Sequence, residues 1–322
     1  MPMHNKFIIY SITAAMLSLL LTSCTDVRNR LSPDVLAVDQ MPDGSTQFAM
    51  RCSQKTEIIT ADADSPLLLC SALQTAAGKE IDSGHISLLM LHGNPAALIP
   101  AYLQMQVLMP TSEVLLCTGS ACAMPQNAPD AKQIRAAVSA GMLPACTADR
   151  MLGDLQNGSG VSAVCCDRNG TLTLALCDAN GICGTLSADA CRGLALSDKR
   201  WTQFSLTAGE STVSVTHVCL HISAAEAADR LLFTLRGTVT CKPEGTASAD
   251  WQSEAQKELT AVLSAAYRET AQSAGADLLL LREAAVRDRI SGAADCSLAV
   301  WRERLQASEI SIEITVHGSI IG

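Results

Sequence analysis

The first two dozen residues constrain this chain more than any other feature. Lys6 and the amino terminus form a short positive segment, and residues 7–21 follow without a charge. This apolar run of ~15 residues is shorter than the ~20 residues that a permanent membrane-spanning helix needs, and it has the length of the central segment of a signal peptide. Residues 1–23 are therefore predicted to be a signal peptide that directs export.

The residues that end this segment predict a lipid anchor at Cys24. The sequence L-T-S-C at residues 21–24 matches a lipobox, in which leucine and small residues lead into a cysteine whose thiol receives a diacylglyceryl group before cleavage. Acyl chains such as palmitate contribute ~0.8 kcal/mol per buried methylene, so they hold a protein on a bilayer without a spanning helix. The alternative is an uncleaved anchor or a secretory peptide with an incidental cysteine. We expect the chain after Cys24 to lie outside the cytoplasm.

The composition predicts a folded protein that does not bind nucleic acid. Of the 322 residues, 48% are apolar and 17% are charged, which is typical of globular modules rather than disordered chains. The formal net charge is −9, whereas a nucleic-acid partner requires a basic surface that displaces phosphate counterions. No polybasic run is present that would adsorb to anionic lipid headgroups. Attachment to a membrane must therefore be covalent or through a partner protein.

The chain is rich in cysteine. Its fourteen cysteines are Cys24, Cys52, Cys70, Cys117, Cys122, Cys146, Cys165, Cys166, Cys177, Cys183, Cys191, Cys219, Cys241 and Cys296. Lipidation of Cys24 would leave thirteen thiols, an odd number that cannot all pair within one chain. No C-x-x-C spacing occurs, and most of these residues lie in apolar runs. We expect mainly buried small hydrophobic side chains. A few disulfides are the alternative, with Cys177, Cys183 and Cys191 the first group to consider.

Strand-like and helix-like segments alternate after the signal peptide. Residues 36–51 predict two short strands around a turn, and residues 85–91 predict a buried strand. A helix over residues 95–109 and another strand over residues 112–123 follow, which indicates a mixed sheet with helices packed on it. The stretch at residues 124–130, which contains proline and asparagine, is a predicted boundary.

A small second module is predicted after this boundary. Leucines alternate as a strand over residues 172–176, and a turn at residues 178–181 leads into a second strand. Ser187 then begins a short helical turn that closes near Gly193.

The third module is predicted to combine long strands with helices. Its strands are expected at residues 212–223, 230–241 and 309–316, the last with strict alternation of apolar and polar residues. Its helices are expected at residues 251–267, with Gly275 as the stop, and at residues 278–289, with Asp277 as the cap. The fold class is therefore predicted to be α+β, with three consecutive mixed modules, each a small sheet packed by helices. The expected domains are residues 24–124, 125–200 and 201–322.

Motifs that would indicate an enzyme are missing from the sequence. It contains no G-x-S-x-G, P-loop, dinucleotide fingerprint or H-E-x-x-H. His217, Cys219 and His221 alternate along a predicted strand, but neighbours two apart are separated by ~6.6 Å along the axis, too far to converge easily on one metal ion. We therefore predict no catalytic residue, no bound metal and no cofactor. An enzyme built from residues that converge only in space is the alternative.

With these segments in place, the chain resembles the Ger(x)C family, the lipoprotein C subunits of spore germinant receptors. Four stretches in the expected order carry the resemblance: C-T-D with Arg28 and Leu31 after the lipobox, G-H and an apolar run at residues 84–90, G-I-C-G-T-L-S at residues 181–187 leading to R-G-L at residues 192–194, and G-A-D-L at residues 275–278 with Trp301 and the last alternating strand. The family's usual tryptophan after the cysteine is Thr25 here.

The resemblance implies three α+β modules and a lipid anchor at Cys24 on the outer surface of the spore inner membrane. It also implies assembly with two integral-membrane subunits, of the A and B types, into a receptor that responds to small nutrients during spore germination. The family has no catalytic residues to carry across, so Cys24 is the one residue to which the resemblance assigns a chemical role.

Two other functions stay open at the level of sequence. The chain could be an unrelated extracytoplasmic lipoprotein that binds a solute or scaffolds an envelope complex. A solute-binding protein would need two large lobes around a polar cleft, for which this chain is short. An envelope hydrolase would need an acid–base pair or metal site that converges in space.

Overall fold

The computed structural model describes residues 30–52, 58–123, 129–157, 161–166, 171–178, 181–227 and 230–319. The strands are β1 (Arg30–Leu31), β2 (Pro33–Gln40), β3 (Thr46–Cys52), β4 (Ile58–Ala63), β5 (Glu80–Ile81), β6 (Leu88–His92), β7 (Glu113–Cys117), β8 (Val161–Cys166), β9 (Leu172–Asp178), β10 (Gly181–Thr185), β11 (Phe204–Ala208), β12 (Ser211–Ala227), β13 (Arg230–Glu244) and β14 (Glu309–Gly318). The helices are α1 (Leu69–Ala77), α2 (Pro95–Gln104), α3 (Ala131–Ser139), α4 (Ala148–Asn157), α5 (Ala188–Asp198), α6 (Trp251–Tyr267), α7 (Leu281–Arg287) and α8 (Leu298–Gln306).

The first sheet has eight strands in the order β10-β9-β8-β7-β6-β2-β3-β4. Its centre is parallel, because β8, β7, β6 and β2 all run in the same direction, and an antiparallel pair flanks it on each side. Successive residues of β6 alternate between two apolar clusters on opposite faces, and Leu88, Leu89, Met90 and Leu91 are all fully buried. Burial on both faces explains why this strand is a continuous apolar run.

The second sheet has four strands in the order β11-β12-β13-β14. The antiparallel β12–β13 hairpin forms its centre, and β14 lies parallel to β13. Helix α6 packs across this sheet, and its buried side chains recur at helical spacing, with Ala255, Leu259 and Leu263 against Val213 and Ile314 in one apolar cluster. The mixture of helices and sheets confirms the predicted α+β class.

The middle of the chain differs from the expectation of a separate small sheet. Strands β8, β9 and β10 extend the sheet formed by the preceding strands, because β8 pairs in parallel with β7. The apolar sequence of β8 explains this: Val164 and Cys166 contribute to the cluster on one face of the sheet, and Ala163 and Cys165 to the cluster on the other. A strand with two apolar faces is stable only inside a covered sheet. The domain boundaries at residues 124 and 200 stay predictions.

Several predicted ends of helices are shifted in the structure. The helix expected over residues 95–109 ends at Gln104, because Gln106 has a left-handed backbone conformation with φ of 57°. The short helical turn expected to close near Gly193 continues to Asp198, where Lys199 takes the left-handed conformation that ends it. The helix expected from residue 278 begins at Leu281, with Asp277 accepting hydrogen bonds from its first turn as predicted.

Gly193 allows helices from the two halves of the molecule to lie close together. It lies in α5, which packs against β9 of the first sheet and against α6 of the second. A Cβ atom at Gly193 would lie 2.2 Å from the carbonyl oxygen of Val262 and 2.9 Å from Cβ of Ala266. The two helices can therefore approach backbone to backbone only because this position has no side chain.

We predict that Gly193→Ala separates α5 from α6 and lowers the free energy of unfolding by about 2 kcal/mol or more, the cost of overpacking a close contact. The matched control is Gly153→Ala in α4, where an added Cβ has no neighbour within 4 Å. That variant should gain up to about 1 kcal/mol from helix propensity. Urea unfolding of both variants measures the difference. Equal stabilities would show that the contact at Gly193 does not hold the halves together.

Candidate functional site

The predicted lipidation site, Cys24, lies outside the described residues, as does the signal peptide. The described chain begins at Arg30 in β1, which pairs in parallel with β5. Arg30 Nε lies 3.2 Å from a carboxylate oxygen of Glu80, and the Asp82 N–H donates to the Leu31 carbonyl at 2.8 Å. Within the described ranges, no helix has the length and apolarity needed to cross a bilayer. The first described residues therefore lie beside β5.

A cleft of about 450 Å³ lies between the two halves of the molecule. One wall comes from α4 and the end of α5, and the other from residues 277–287 and strand β12, where His221 faces it. Leucines 278–280 give this second wall an apolar surface. Leu280 is exposed and has a left-handed backbone with φ of 59°, a conformation that costs energy for a residue with a side chain and that is frequent at functional sites.

The charged wall of this cleft, which we call the Asp198 network, is built around one carboxylate. Asp198 accepts a hydrogen bond from Arg150 and one of 2.9 Å from the Ala145 N–H, and Arg200 lies 3.6 Å away. Asp154 lies one helical turn from Arg150 on α4, and its Oδ2 is buried without a hydrogen-bond partner among the described residues. Burial, reinforced by the negative charge of Asp198, raises the pKa of Asp154 to about 6. The cleft therefore combines acidic and basic side chains with an apolar wall.

Asp277, from the G-A-D stretch, also lines this cleft. Its buried carboxylate accepts hydrogen bonds from the N–H groups of Leu281 at 2.6 Å and Arg282 at 2.7 Å, and from Trp301 Nε1 at 3.3 Å. Burial raises the pKa of Asp277 despite these three donors. The Arg282 guanidinium lies over the Trp301 ring at 5.8 Å. The G-A-D stretch therefore joins α7 to α8 and has a structural role.

A second cleft, of about 580 Å³, lies at the carboxyl ends of β2, β6 and β7. This edge of a parallel sheet is the usual position for a ligand in α/β folds. His92 Nδ1 lies 3.1 Å from the Cys117 carbonyl oxygen, and Asn94 caps α2 by accepting from the Ala96 N–H at 2.9 Å. The nearby buried Asp39 accepts from the Ala121 N–H at 2.6 Å, so its carboxylate orders the loop after β7.

The histidines and cysteine singled out in the sequence do not converge. His217, Cys219 and His221 are all exposed along β12, and their partners across β13 are Thr240, Thr238 and Arg236, which bring no further metal ligand. Among the described residues, no group of three or more His, Cys, Asp or Glu side chains could hold a metal ion.

Buried thiols make up much of the cysteine content, as the apolar flanks of these residues predicted. Cys117, Cys146, Cys191 and Cys241 are buried free thiols. Burial raises the pKa of Cys146 to about 12 and that of Cys241 to about 11, so both stay protonated and unreactive. Because Cys191 is free on the buried face of α5, it is not part of the disulfide considered for that group. The side chain of Cys183 lies outside the described residues.

We predict that the unpaired carboxylate of Asp154 makes stability depend on pH. The pKa of Asp154 in the folded protein, about 6, lies above its ordinary value of 3.8. The stability that the protonated side chain contributes is therefore complete below pH 4 and is lost as pH rises toward 7. Between pH 5 and pH 7 the wild type should lose about 1 kcal/mol more than Asp154→Asn. Urea unfolding at the two pH values measures this difference. Parallel losses in both proteins would contradict the buried, unpartnered position of this side chain.

Comparison with known proteins finds a match in structure but none in sequence. No family model matches the sequence, and no curated protein matches it. The crystal structure of the GerBC protein matches the fold with a TM-score of 0.58 and 13% sequence identity, over 88% of this chain and 96% of that chain. At 13% sequence identity, this similarity is evidence about the fold. This chain therefore has the fold of the GerBC protein, which is the fold that its resemblance to the Ger(x)C family predicted.

Proposed function

We propose that this chain is a lipid-anchored, non-catalytic subunit of a nutrient germinant receptor that acts in spore germination. The likeness to the GerBC protein carries the proposal, because it extends over nearly the whole of both chains. The lipobox at residues 21–24 supports it independently, since it is a feature of the sequence and not of the fold. In this role Cys24 carries the diacylglyceryl group after residues 1–23 are removed.

The proposed setting is the outer surface of the spore inner membrane. There the chain assembles with two integral-membrane subunits, of the A and B types, and the lipid holds its folded body beside them. Such a subunit needs no catalytic residue, metal or cofactor; what it needs is a rigid body on a short tether. The position of Arg30 in β1, six residues after Cys24, is consistent with a short tether.

A second candidate function is favoured by the Asp198 network. A cleft of about 450 Å³ with an unpartnered buried carboxylate and a wall of leucines has the size and the mixed polarity of a small-molecule site. An extracytoplasmic lipoprotein that binds a cationic solute would use it. Such a protein should bind its solute as an isolated chain, whereas a receptor subunit should be purified with its membrane partners.

We predict that Cys24→Ala releases the protein from membranes, because neither acyl chain can then be attached. Germination through this receptor should fall in the same strain. The control is Cys219→Ala, which removes an exposed thiol of β12 and should leave both properties unchanged. Membrane fractionation and a germination assay give the two readouts. A Cys24→Ala protein that still sediments completely with membranes would show that the lipobox is not used.

Affinity purification from spore membranes separates the two candidate functions. We expect the chain to bring down two multi-span membrane proteins after gentle detergent extraction. Purification of the lipidated chain alone, with a bound solute in place of those partners, would favour the second candidate.

A further inference from the structure

Four exposed apolar side chains lie around the amino ends of the central parallel strands. They are Leu67, Leu68, Met105 and Met109, with exposed fractions of 56%, 49%, 37% and 47%, and we call them the apolar corner. Leu67 and Leu68 belong to the 3-10 turn that precedes α1, and the two methionines belong to the loop that follows α2. A single exposed leucine is ordinary, whereas several in adjoining segments indicate a contact surface.

Two contacts join the two segments of the apolar corner. The Tyr102 hydroxyl of α2 donates to the Pro66 carbonyl at 3.3 Å, which fixes the 3-10 turn against that helix. Cys70, one residue into α1, lines a small cavity together with Val107 of the methionine loop. The two segments that carry the four side chains therefore lie next to each other.

The loop that carries the two methionines also contacts the segment beside β1, where the described chain begins. The Ser83 hydroxyl donates to the carbonyl of Gln106, between the two methionines, at 3.4 Å. Its neighbour Asp82 donates its N–H to the Leu31 carbonyl at 2.8 Å. From Arg30 to Cys24 there are six residue steps, which span about 20 Å at most when fully extended. A lipid on Cys24 would therefore hold this side of the body within about 20 Å of the bilayer.

We infer that the apolar corner contacts the phospholipid bilayer, so that the body rests on the membrane in one orientation. The inference rests on the proposed anchor at Cys24. Leucine and methionine side chains gain from entering the boundary between headgroups and acyl chains. Of the ionisable groups near β1 and β5, Arg30 Nε lies 3.2 Å from Glu80 and His85 Nε2 lies 3.6 Å from Asp82. The four side chains of the apolar corner carry no charge, and the acyl anchor supplies the local concentration that so small a surface needs.

Fluorescence quenching by brominated lipid tests this orientation. The lipidated full-length protein is reconstituted into phosphatidylcholine vesicles with or without brominated acyl chains, and the emission added by Leu68→Trp is measured relative to the wild type. We expect brominated lipid to reduce the added emission about twofold, because the indole introduced at residue 68 would lie at the boundary between headgroups and acyl chains. Met105→Trp should behave in the same way. The matched control is Met142→Trp, since Met142 is 61% exposed and lies beside Gly141, which packs on Phe204 of the second sheet. Its added emission should not change.

Flotation of the vesicles separates failure of this inference from failure of the anchor. If the protein floats with the vesicles but brominated lipid quenches neither Leu68→Trp nor Met105→Trp, the anchor stands and the orientation is wrong. Equal quenching of Met142→Trp would also overturn it, because the body would then have no preferred face. If the lipid-processed protein does not float, the anchor and the orientation fail together. Circular dichroism of each variant establishes that the folded state is retained.

Discussion

The contact between α5 and α6 at Gly193 is the constraint on which the rest of the structure depends. Helix α5 packs on the first sheet, α6 packs on the second, and the carbonyl of Val262 occupies the space that a side chain at Gly193 would fill. Ala190 and Leu194 from α5 and Ala266 from α6 belong to one apolar cluster, so the core is continuous across the helix pair. Aromatic residues are only 3% of the sequence, and close backbone approach compensates for side chains that bury little area.

This helix pair also determines where the polar features of the molecule lie. Because α5 ends at Asp198, its last turn supplies the carboxylate that organises one wall of the cleft, and the segment after Asp277 supplies the other. The amino ends of the parallel strands, around β1 and β5, carry the apolar corner and the start of the chain that leads to Cys24. The proposed function requires a tethered body that contacts lipid near its tether and presents other surfaces to partner proteins. The apolar corner and the charged cleft are consistent with this requirement.

The sequence predicted elements wherever periodicity and capping agreed. The β12–β13 hairpin, the alternating β14 and the long helix α6 have the expected type. Long-range pairing was not predictable. Nothing local in β8 distinguishes a strand of a small separate sheet from one that pairs with β7, because pairing partners are chosen by packing and not by local pattern.

In the candidate site too, features that depend on neighbouring residues were predictable, and features that depend on long-range packing were not. Asp277 was predicted as a helix cap from its neighbours in sequence. The N-cap residue is Leu280, but Asp277 does accept hydrogen bonds from the first two N–H groups of α7. Asp154, Arg150 and Asp198 come from two different helices, so their convergence depends on how α4 and α5 pack. The buried, unpaired oxygen of Asp154 has no signature in sequence, since the residue lies in an ordinary amphipathic helix. The sequence shows Leu67 and Leu68 as apolar residues before a helix, but only the structure places their turn against α2.

The central claim is that a folded body is held at a membrane by acyl chains on one sulfur. Mass spectrometry of the amino-terminal peptide, isolated from spore membranes, tests it most directly. The proposed function predicts a mature terminus at Cys24 that carries a diacylglyceryl group on its sulfur. A mature terminus at another residue, or an unmodified thiol at Cys24, would contradict it.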